Sequence, residues 1–155
     1  MDNYLLDVKN LKTNLYLSEG IARVVDNVSF SMRPGETLAL VGESGCGKTM
    51  TAYSIMRLVP SPPGKIIGGT VIFEGKNLLE MPEKKMRLLR GDRIAMVFQE
   101  PLTSLNPVFR IGFQIAEVLQ VHRQMNKKDA LEKAQQLLLA VGIASPDVRI
   151  RDYPH

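Results

Sequence analysis

Two apolar stretches near the start of the chain are separated by a polar, turn-like segment. Residues 4–9 and residues 21–30 carry the apolar side chains, and Leu11 extends the first stretch. Each stretch predicts a β-strand, and residues 14–20 between them predict a turn. Because short turns join strands that run in opposite directions, these two strands are predicted to be antiparallel.

Two other apolar runs have the composition of strands buried inside a sheet. Residues 37–41 and residues 93–98 are short and almost continuously apolar. Strands that are covered on both faces show such runs, so the first predicts a buried parallel strand and the second another buried strand. Residues 69–75 predict a further strand that ends in a turn at residues 75–77.

Apolar residues recur at helical spacing in the remaining segments. Residues 82–90 predict a short helix, and residues 111–123 and 127–141 predict two longer ones, the last capped by Gly142. Residues 51–59 predict a helix whose apolar face consists of Ala52, Ile55, Met56 and Val59.

Composition and charge narrow the class of protein. The 155 residues are 45% hydrophobic and 23% charged, which is ordinary for one globular domain. We expect no transmembrane helix and no secretory signal, because no long apolar span and no basic-then-apolar start occur. The single cysteine excludes an internal disulfide and a cysteine-cluster metal site, which suits a reducing cytoplasm. The net charge of +4 comes without a cluster of basic and aromatic residues, so we expect no nucleic-acid partner.

Residues 42–49 carry the strongest chemical signal, since they fit the phosphate-binding pattern Gly-x-x-x-x-Gly-Lys-Ser/Thr called Walker A. Glycines let backbone N–H groups curl around phosphate oxygens, Lys48 supplies positive charge to the β- and γ-phosphates, and Thr49 offers a hydroxyl to Mg²⁺. A helix that starts near Gly47 directs its positive dipole end at the same anion. A chance glycine-rich turn is the alternative, but a predicted strand before and a helix after favour nucleotide binding. The predicted nucleotide-binding residues are Gly42, Glu43, Ser44, Gly45, Cys46, Gly47, Lys48, Thr49 and Met50.

Two single residues leave alternatives open. Tyr16 lies in the predicted early turn, where it either stacks on an adenine ring or is a surface tyrosine of a hairpin. Cys46 lies at a predicted helix N-terminus beside Lys48, and both features favour a reactive thiol. Because position 46 is a variable position of the Walker A pattern, an inert small residue is the alternative.

Three segments together resemble the nucleotide-binding subunits of ABC transporters, in particular the ATP-binding proteins of oligopeptide, dipeptide and nickel importers. They are residues 25–36, residues 42–49 and residues 98–117, and the last is the most specific because many unrelated enzymes share Walker A. The resemblance covers nearly the whole chain. It implies an α/β fold with a partial P-loop NTPase core. An N-terminal antiparallel β subdomain and the P-loop core would occupy residues of about 1–100. The Q-loop and the start of an α-helical subdomain would occupy about 101–155.

The resemblance also implies roles and partners. Gln99 is similar to the family's Q-loop glutamine, which reaches Mg²⁺ and the attacking water in the assembled site. The catalytic residues that the resemblance implies are Lys48 and Gln99. The residues that it implies as metal contacts are Thr49 and Gln99. An amide at the end of a buried strand is well placed for that contact. Tyr16 is the nearest candidate for the adenine-stacking aromatic, although the subgroup often has it one or two positions earlier. ATP and Mg²⁺ are the implied cofactors. The implied partners are permease subunits and a second ATP-binding subunit, at the cytoplasmic face of the membrane.

The family's signature motif, Walker B aspartate, catalytic glutamate and switch histidine do not occur in these 155 residues. Gln99 stands where a Walker B aspartate would be needed, and His155 precedes the position of the signature. We therefore expect the 155 residues alone to bind nucleotide weakly and not to hydrolyse it. The alternatives are a non-catalytic nucleotide-binding or interaction fragment, or a soluble ABC ATPase that is not tied to transport.

Overall fold

A computed structural model describes residues 4–99 and 104–155. The chain forms two compact units, residues 1–87 and residues 88–155. The first unit contains a β-sheet and the Walker A loop with its helix, and the second contains mainly helices.

The sheet of the first unit has four antiparallel strands in the order β2-β1-β3-β4. They are β1 (Leu6–Leu17), β2 (Gly20–Met32), β3 (Gly64–Phe73) and β4 (Lys76–Asn77). The long strand β1 lies between β2 and β3, and its Val8 and Leu11 are buried with Val71 of β3. The predicted antiparallel pairing of the first two strands is confirmed, while β3 starts at Gly64 instead of residue 69.

The turn between β1 and β2 is shorter than the sequence predicts. Residues 14–17 belong to β1, and only Ser18 and Glu19 form the turn. Asn14 pairs with Arg23 and Tyr16 pairs with Ile21, so cross-strand hydrogen bonding extends through most of the segment predicted as a turn.

The helix after the Walker A loop, α1 (Lys48–Ile55), starts and ends earlier than residues 51–59. Its fully buried residues are Thr51 and Ser54, which were not predicted. Of the predicted apolar face, Met56 is buried and Ala52, Ile55 and Val59 are half-buried. The buried hydroxyls have partners: Thr51 Oγ1 donates to the carbonyl of Gly47 at 3.0 Å, and Ser54 Oγ lies 2.7 Å from Thr13 Oγ1 in β1. Paired hydroxyls can be buried at low cost, which apolar periodicity does not predict.

The two predicted buried strands at residues 37–41 and 93–98 are not strands in the structure. Val41 is 93% exposed and Val97 is 91% exposed. A strand needs ladder hydrogen bonds from a neighbour, and within residues 4–99 and 104–155 the only pairing of either segment is one isolated bridge between Arg90 and Ile94.

The helices of the second unit follow the predictions closely. Helix α3 covers Ile111–Arg123 and α4 covers Lys127–Ala140, while α2 (Glu83–Leu89) bridges the two units in sequence. A short helix that was not predicted, α5 (Pro146–Arg149), follows α4. Small residues allow α3 and α4 to pack tightly. The buried residues of this helical core are Ala116, Ala130 and Ala134. No helix in the described parts of the chain is long and apolar enough to cross a membrane.

Candidate nucleotide-binding site

The loop of residues 42–47 depends on glycine at two positions with left-handed backbone. Gly45 has φ +84° and Gly47 has φ +93°, angles that a side chain makes costly. Gly47 is also the N-cap of α1, so the loop ends directly in the helix and the predicted helix start near Gly47 is confirmed. The second glycine of the Walker A pattern, Gly47, therefore meets a real backbone requirement here.

Close packing supplies a second reason for glycine in this loop. A Cβ atom at Gly47 would overlap the backbone carbonyl oxygen of Val24 in β2. A Cβ atom at Gly42 would lie 2.5 Å from Cys46 Sγ. The first contact fixes the end of the loop against β2, and the second closes the loop on itself.

The ammonium group of Lys48 lies over the loop. Its Nζ donates hydrogen bonds to the carbonyl oxygens of Gly42 at 2.7 Å and Glu43 at 2.6 Å, and it lies 3.5 Å from Cys46 Sγ. The positive charge is therefore held at the position where the glycine backbone curls. A polyphosphate that enters the loop can take over this ammonium as a hydrogen-bond donor.

The N-terminus of α1 is favourable for an anion. The first N–H groups of any α-helix lack acceptors within the helix. No side chain of the described residues caps α1, and its first turn contains no acidic residue. The positive end of the eight-residue helix is thus neither capped nor neutralised locally, which suits a phosphate ligand.

The other predicted loop residues are accessible to different degrees. Glu43, Ser44, Cys46 and Thr49 are exposed, whereas Met50 is half-buried and its carbonyl accepts a hydrogen bond from Ser54 Oγ at 2.6 Å. Thr49 lies in the first turn of α1. The donor set therefore fits a magnesium-bound polyphosphate: backbone N–H groups and an ammonium for phosphate oxygens, and an exposed hydroxyl of the kind that Mg²⁺ accepts.

Tyr16 lies in β1 and not in a turn, which corrects the sequence-based placement. Its ring is partly accessible, with 48% of the residue exposed, and its N–H donates to the carbonyl of Pro63 at 2.9 Å. Its strand partner Ile21 lies three positions from Val24, about 10 Å along β2. Of the three positions considered for the stacking aromatic, Asn14 is buried and Leu15 is half-buried, so Tyr16 is the exposed one. Its contact with adenine stays a prediction.

Gln99 belongs to the second unit and is exposed. Residues 100–103 of the predicted Q-loop lie outside the described residues, so the role of Gln99 stays a prediction. Gln114 of α3, for which the sequence predicts no role, holds the end of this loop. Its side chain accepts from the N–H of Asn106 at 2.8 Å and donates to the carbonyls of Asn106 and Phe109, both at 2.9 Å. The sequence offers one weak signal for this role, because Gln114 lies one turn inside a helix that follows an Asn-Pro loop.

Comparison with known proteins shows which family the chain belongs to. The pattern of the ABC transporter family matches residues 25–154. The chain is 52% identical to the probable peptide ABC transporter ATP-binding protein y4tR of Sinorhizobium fredii, over 97% of this chain and 45% of that protein. It is 45% identical to the oligopeptide transport ATP-binding protein OppD of Bacillus subtilis, over 97% of this chain and 42% of that protein. The chain thus spans less than half the length of these relatives.

Solved structures share the fold. The dimeric, post-hydrolysis ATP-binding cassette MJ0796 bound to ADP and Pi matches with a TM-score of 0.80 at 20% identity, over 96% of this chain and 61% of that chain. A second dimeric structure of MJ0796, a bacterial ABC transporter cassette, matches with a TM-score of 0.78. The predicted partial P-loop NTPase fold is confirmed by these matches, with the two strand corrections given above. From the family match and the Walker A geometry together, the chain belongs to the ABC transporter family of ATP-binding proteins.

Proposed function

We propose that the chain is part of the ATP-binding subunit of an importer for oligopeptides, dipeptides or similar small solutes. The observation that carries the nucleotide-binding part is the Lys48 ammonium, held 2.7 Å from Gly42 O and 2.6 Å from Glu43 O at a loop in which Gly45 and Gly47 have left-handed backbone. The importer part is supported by the relatives, whose names are those of peptide-transport ATP-binding proteins.

The proposed ligand is ATP with Mg²⁺. Lys48 and the backbone N–H groups of residues 45–49 hold the phosphates, and Tyr16 stacks on the adenine. The Thr49 hydroxyl would hold Mg²⁺, which would supply positive charge to the phosphates. Gln99 would contact Mg²⁺ and the attacking water in the assembled site, as the family resemblance implies.

The proposed partners follow from the family. ATP lies between two ATP-binding subunits, and hydrolysis drives alternating access in separate permease subunits, so the protein is peripheral on the cytoplasmic face of the membrane. The relatives named as transport ATP-binding proteins and the dimeric form of MJ0796 support this proposal in general terms.

The 155 residues on their own are proposed to bind nucleotide weakly and not to hydrolyse it. Phosphoryl transfer needs a positioned metal and a positioned water as well as a phosphate cradle. These residues supply the cradle, Lys48, Thr49 and Gln99, but they contain no Walker B aspartate and no catalytic glutamate after it.

Calorimetric titration with MgATP, together with a phosphate-release assay, tests the proposal. We expect measurable binding by the 155-residue chain, a loss of at least about tenfold in affinity for Lys48→Ala, and no phosphate release above that of Lys48→Ala. The matched control is Lys76→Ala, which removes an exposed lysine of β4 and should leave affinity unchanged. Equal affinity of all three proteins would exclude the phosphate loop as the binding site, and steady phosphate release would contradict the lack of hydrolysis.

A further inference from the structure

The side-chain amide of Gln114 is fully engaged with the backbone of the residues just before α3. Its Oε1 accepts a hydrogen bond from the N–H of Asn106 at 2.8 Å. Its Nε2 donates to the carbonyls of Asn106 and Phe109, both at 2.9 Å, which uses both N–H groups of the amide. One half-buried side chain therefore holds both ends of the stretch 106–109 against the helix.

The stretch 106–109 is also folded on itself. Asn106 Oδ1 accepts from the N–H of Val108 at 3.1 Å, and the N–H of Phe109 donates to the Asn106 carbonyl at 3.2 Å. The Asn106 carbonyl thus accepts from Phe109 and from Gln114, so both of its lone pairs have donors. We call residues 106–109 the 106–109 turn, since they form one small unit that the Gln114 amide fastens from outside.

The first turn of α3 is itself a fixed support. The N–H groups of Ile111 and Gly112 donate to the carbonyls of Asp152 and Ile150, both at 2.9 Å. These two N–H groups would otherwise lack acceptors within the helix, and no side chain of the described residues caps α3. A Cβ at the buried Gly112 would overlap the Ile150 carbonyl oxygen, so this backbone contact is close. Gln114 thus ties the 106–109 turn to a helix end that is held from the other side.

The 106–109 turn lies a short way along the chain from Gln99. Gln99 precedes Asn106 by seven positions and precedes Ile111, the first residue of α3, by twelve. Without the Gln114 contacts, the stretch that separates Gln99 from a fixed point would lengthen from the first number towards the second. A longer tether has more conformations and confines the group at its end less. A group that takes part in catalysis can lose about a hundredfold in rate when it is displaced by about 1 Å.

We propose that Gln114 is a positioning residue for the ATPase reaction and acts by confining Gln99. The inference rests on the proposed function, in which Gln99 contacts Mg²⁺ and the attacking water. Gln114, the 106–109 turn and Gln99 belong to the second unit, whereas Lys48 and the phosphate loop belong to the first. Loss of the Gln114 amide should therefore lower the rate of hydrolysis and leave the affinity for MgATP unchanged.

The test uses the complete protein encoded by the gene, because the 155 residues contain no Walker B aspartate. Phosphate release at varied MgATP gives kcat and KM, and calorimetry gives the Kd of MgATP. Gln114→Ala and Gln114→Met, which has a similar length but cannot donate to the two carbonyls, should each lower kcat by at least about tenfold. Their Kd should stay within about twofold of the wild type, because a confining residue makes no ground-state contact with nucleotide. An unchanged kcat, or a raised Kd with kcat unchanged, would overturn the proposal.

Glu117 provides a matched control on the same helix. It is exposed in α3, three positions after Gln114. Glu117→Ala makes the same helix-favouring change as Gln114→Ala, and its kcat should stay within about twofold of the wild type. Equal losses of kcat for the two alanine variants would show that α3 as a whole is sensitive, and that outcome too would overturn the proposal.

A double-mutant cycle with Gln99 separates positioning from a merely structural role. If Gln114 acts through Gln99, its removal should matter only while Gln99 is present. Gln99→Ala should lower kcat, and adding Gln114→Ala to it should lower kcat by less than about twofold further. A structural role would instead give the same tenfold loss in both backgrounds, and such multiplicative losses would contradict the inference.

Further measurements keep this inference distinct from the proposed function. Urea unfolding should show that the Gln114 variants are folded under the assay conditions, and an unfolded fraction large enough to explain the lost rate would assign Gln114 a structural role and overturn the inference. Absence of phosphate release by the complete wild-type protein, or a Gln99→Ala variant with full activity, would refute the proposed function and this inference with it. Normal release by the wild type and by both Gln114 variants would refute this inference alone.

Discussion

The hydroxyl groups of Thr13 in β1 and Ser54 in α1 lie 2.7 Å apart in the interior of the first unit. Both residues are 0% exposed. The Ser54 hydroxyl donates its proton to the carbonyl of Met50 at 2.6 Å, so the Thr13 hydroxyl is the donor in the pair. This one polar contact joins the helix that follows the phosphate loop to the central strand of the sheet.

Removing either hydroxyl should therefore destabilise the first unit, and by different amounts. Ser54→Ala leaves the buried Thr13 hydroxyl without an acceptor and should lower the unfolding free energy by about 1–3 kcal/mol. Thr13→Val leaves the Ser54 hydroxyl bonded to the Met50 carbonyl and should lower it by about 1 kcal/mol. The double variant should cost less than the sum, as measured by urea unfolding in a double-mutant cycle. Additivity within about 0.5 kcal/mol would show that the two groups are not coupled.

Replacing Gly47 by alanine should damage both folding and nucleotide binding. The change combines a left-handed φ of +93° with overlap of the new Cβ and the Val24 carbonyl. We expect a loss of about 2–3 kcal/mol in unfolding free energy and no detectable MgATP binding by calorimetry. Gly75→Ala is the control, since Gly75 has φ +76° with open space around it. Gly75→Ala should lower the unfolding free energy by about 1 kcal/mol through backbone strain alone and leave nucleotide affinity intact. Equal losses of stability and affinity for the two variants would argue against the contact with Val24.

Nucleotide should protect Cys46 from alkylation. The thiol is exposed and lies 3.5 Å from Lys48 Nζ, and it is the only cysteine in the chain, so mass spectrometry reports on it alone. MgATP at about ten times its Kd should slow labelling by iodoacetamide by about tenfold, because only the free fraction reacts. Lys48→Ala should lose this protection, and urea-unfolded protein should label equally with and without nucleotide. Unchanged labelling of the folded protein under saturating MgATP would argue against Cys46 lying in a working phosphate site.

The N-cap of α4 should contribute to the stability of the helical unit. Asn126 Oδ1 accepts from the N–H of Asp129 at 3.0 Å, and Asn126 Nδ2 donates to the Asp129 carboxylate at 2.8 Å. Asn126→Ala should cost about 1 kcal/mol, measured by urea unfolding. Asn126→Ser retains a capping oxygen and should recover most of that loss. Equal unfolding free energies of the alanine and serine variants would show that the side-chain cap does not contribute to stability.

Elements that depend on local signals were predictable from the sequence. Helix α4 begins after Asn126 and ends just before Gly142, whose φ of +79° closes it, and each of these signals lies within a few residues of the helix it bounds. The phosphate loop was predictable for the same reason, because its glycine requirements are encoded in a short stretch.

Features that depend on distant partners were not predictable in this way. Val41 has the side chain of a buried strand but is exposed, because burial and ladder pairing come from other parts of a sheet and not from the run itself. The burial of Ser54 in α1 is not predictable locally, because its hydroxyl finds its partner 41 residues away, at Thr13. The sequence predicts a turn at Tyr16 because its polar neighbours and Gly20 resemble one. The pairing with Ile21 that places Tyr16 in a strand depends on the partner strand.

The contact between Gly47 and Val24 involves no side chain of Val24, because the group that would meet a Cβ at position 47 is the backbone carbonyl of position 24. The two positions should therefore differ sharply in a saturation-mutagenesis experiment. Position 24 should accept many residue types, since each of them presents the same carbonyl. Position 47 should accept glycine alone, because any Cβ there would meet that carbonyl.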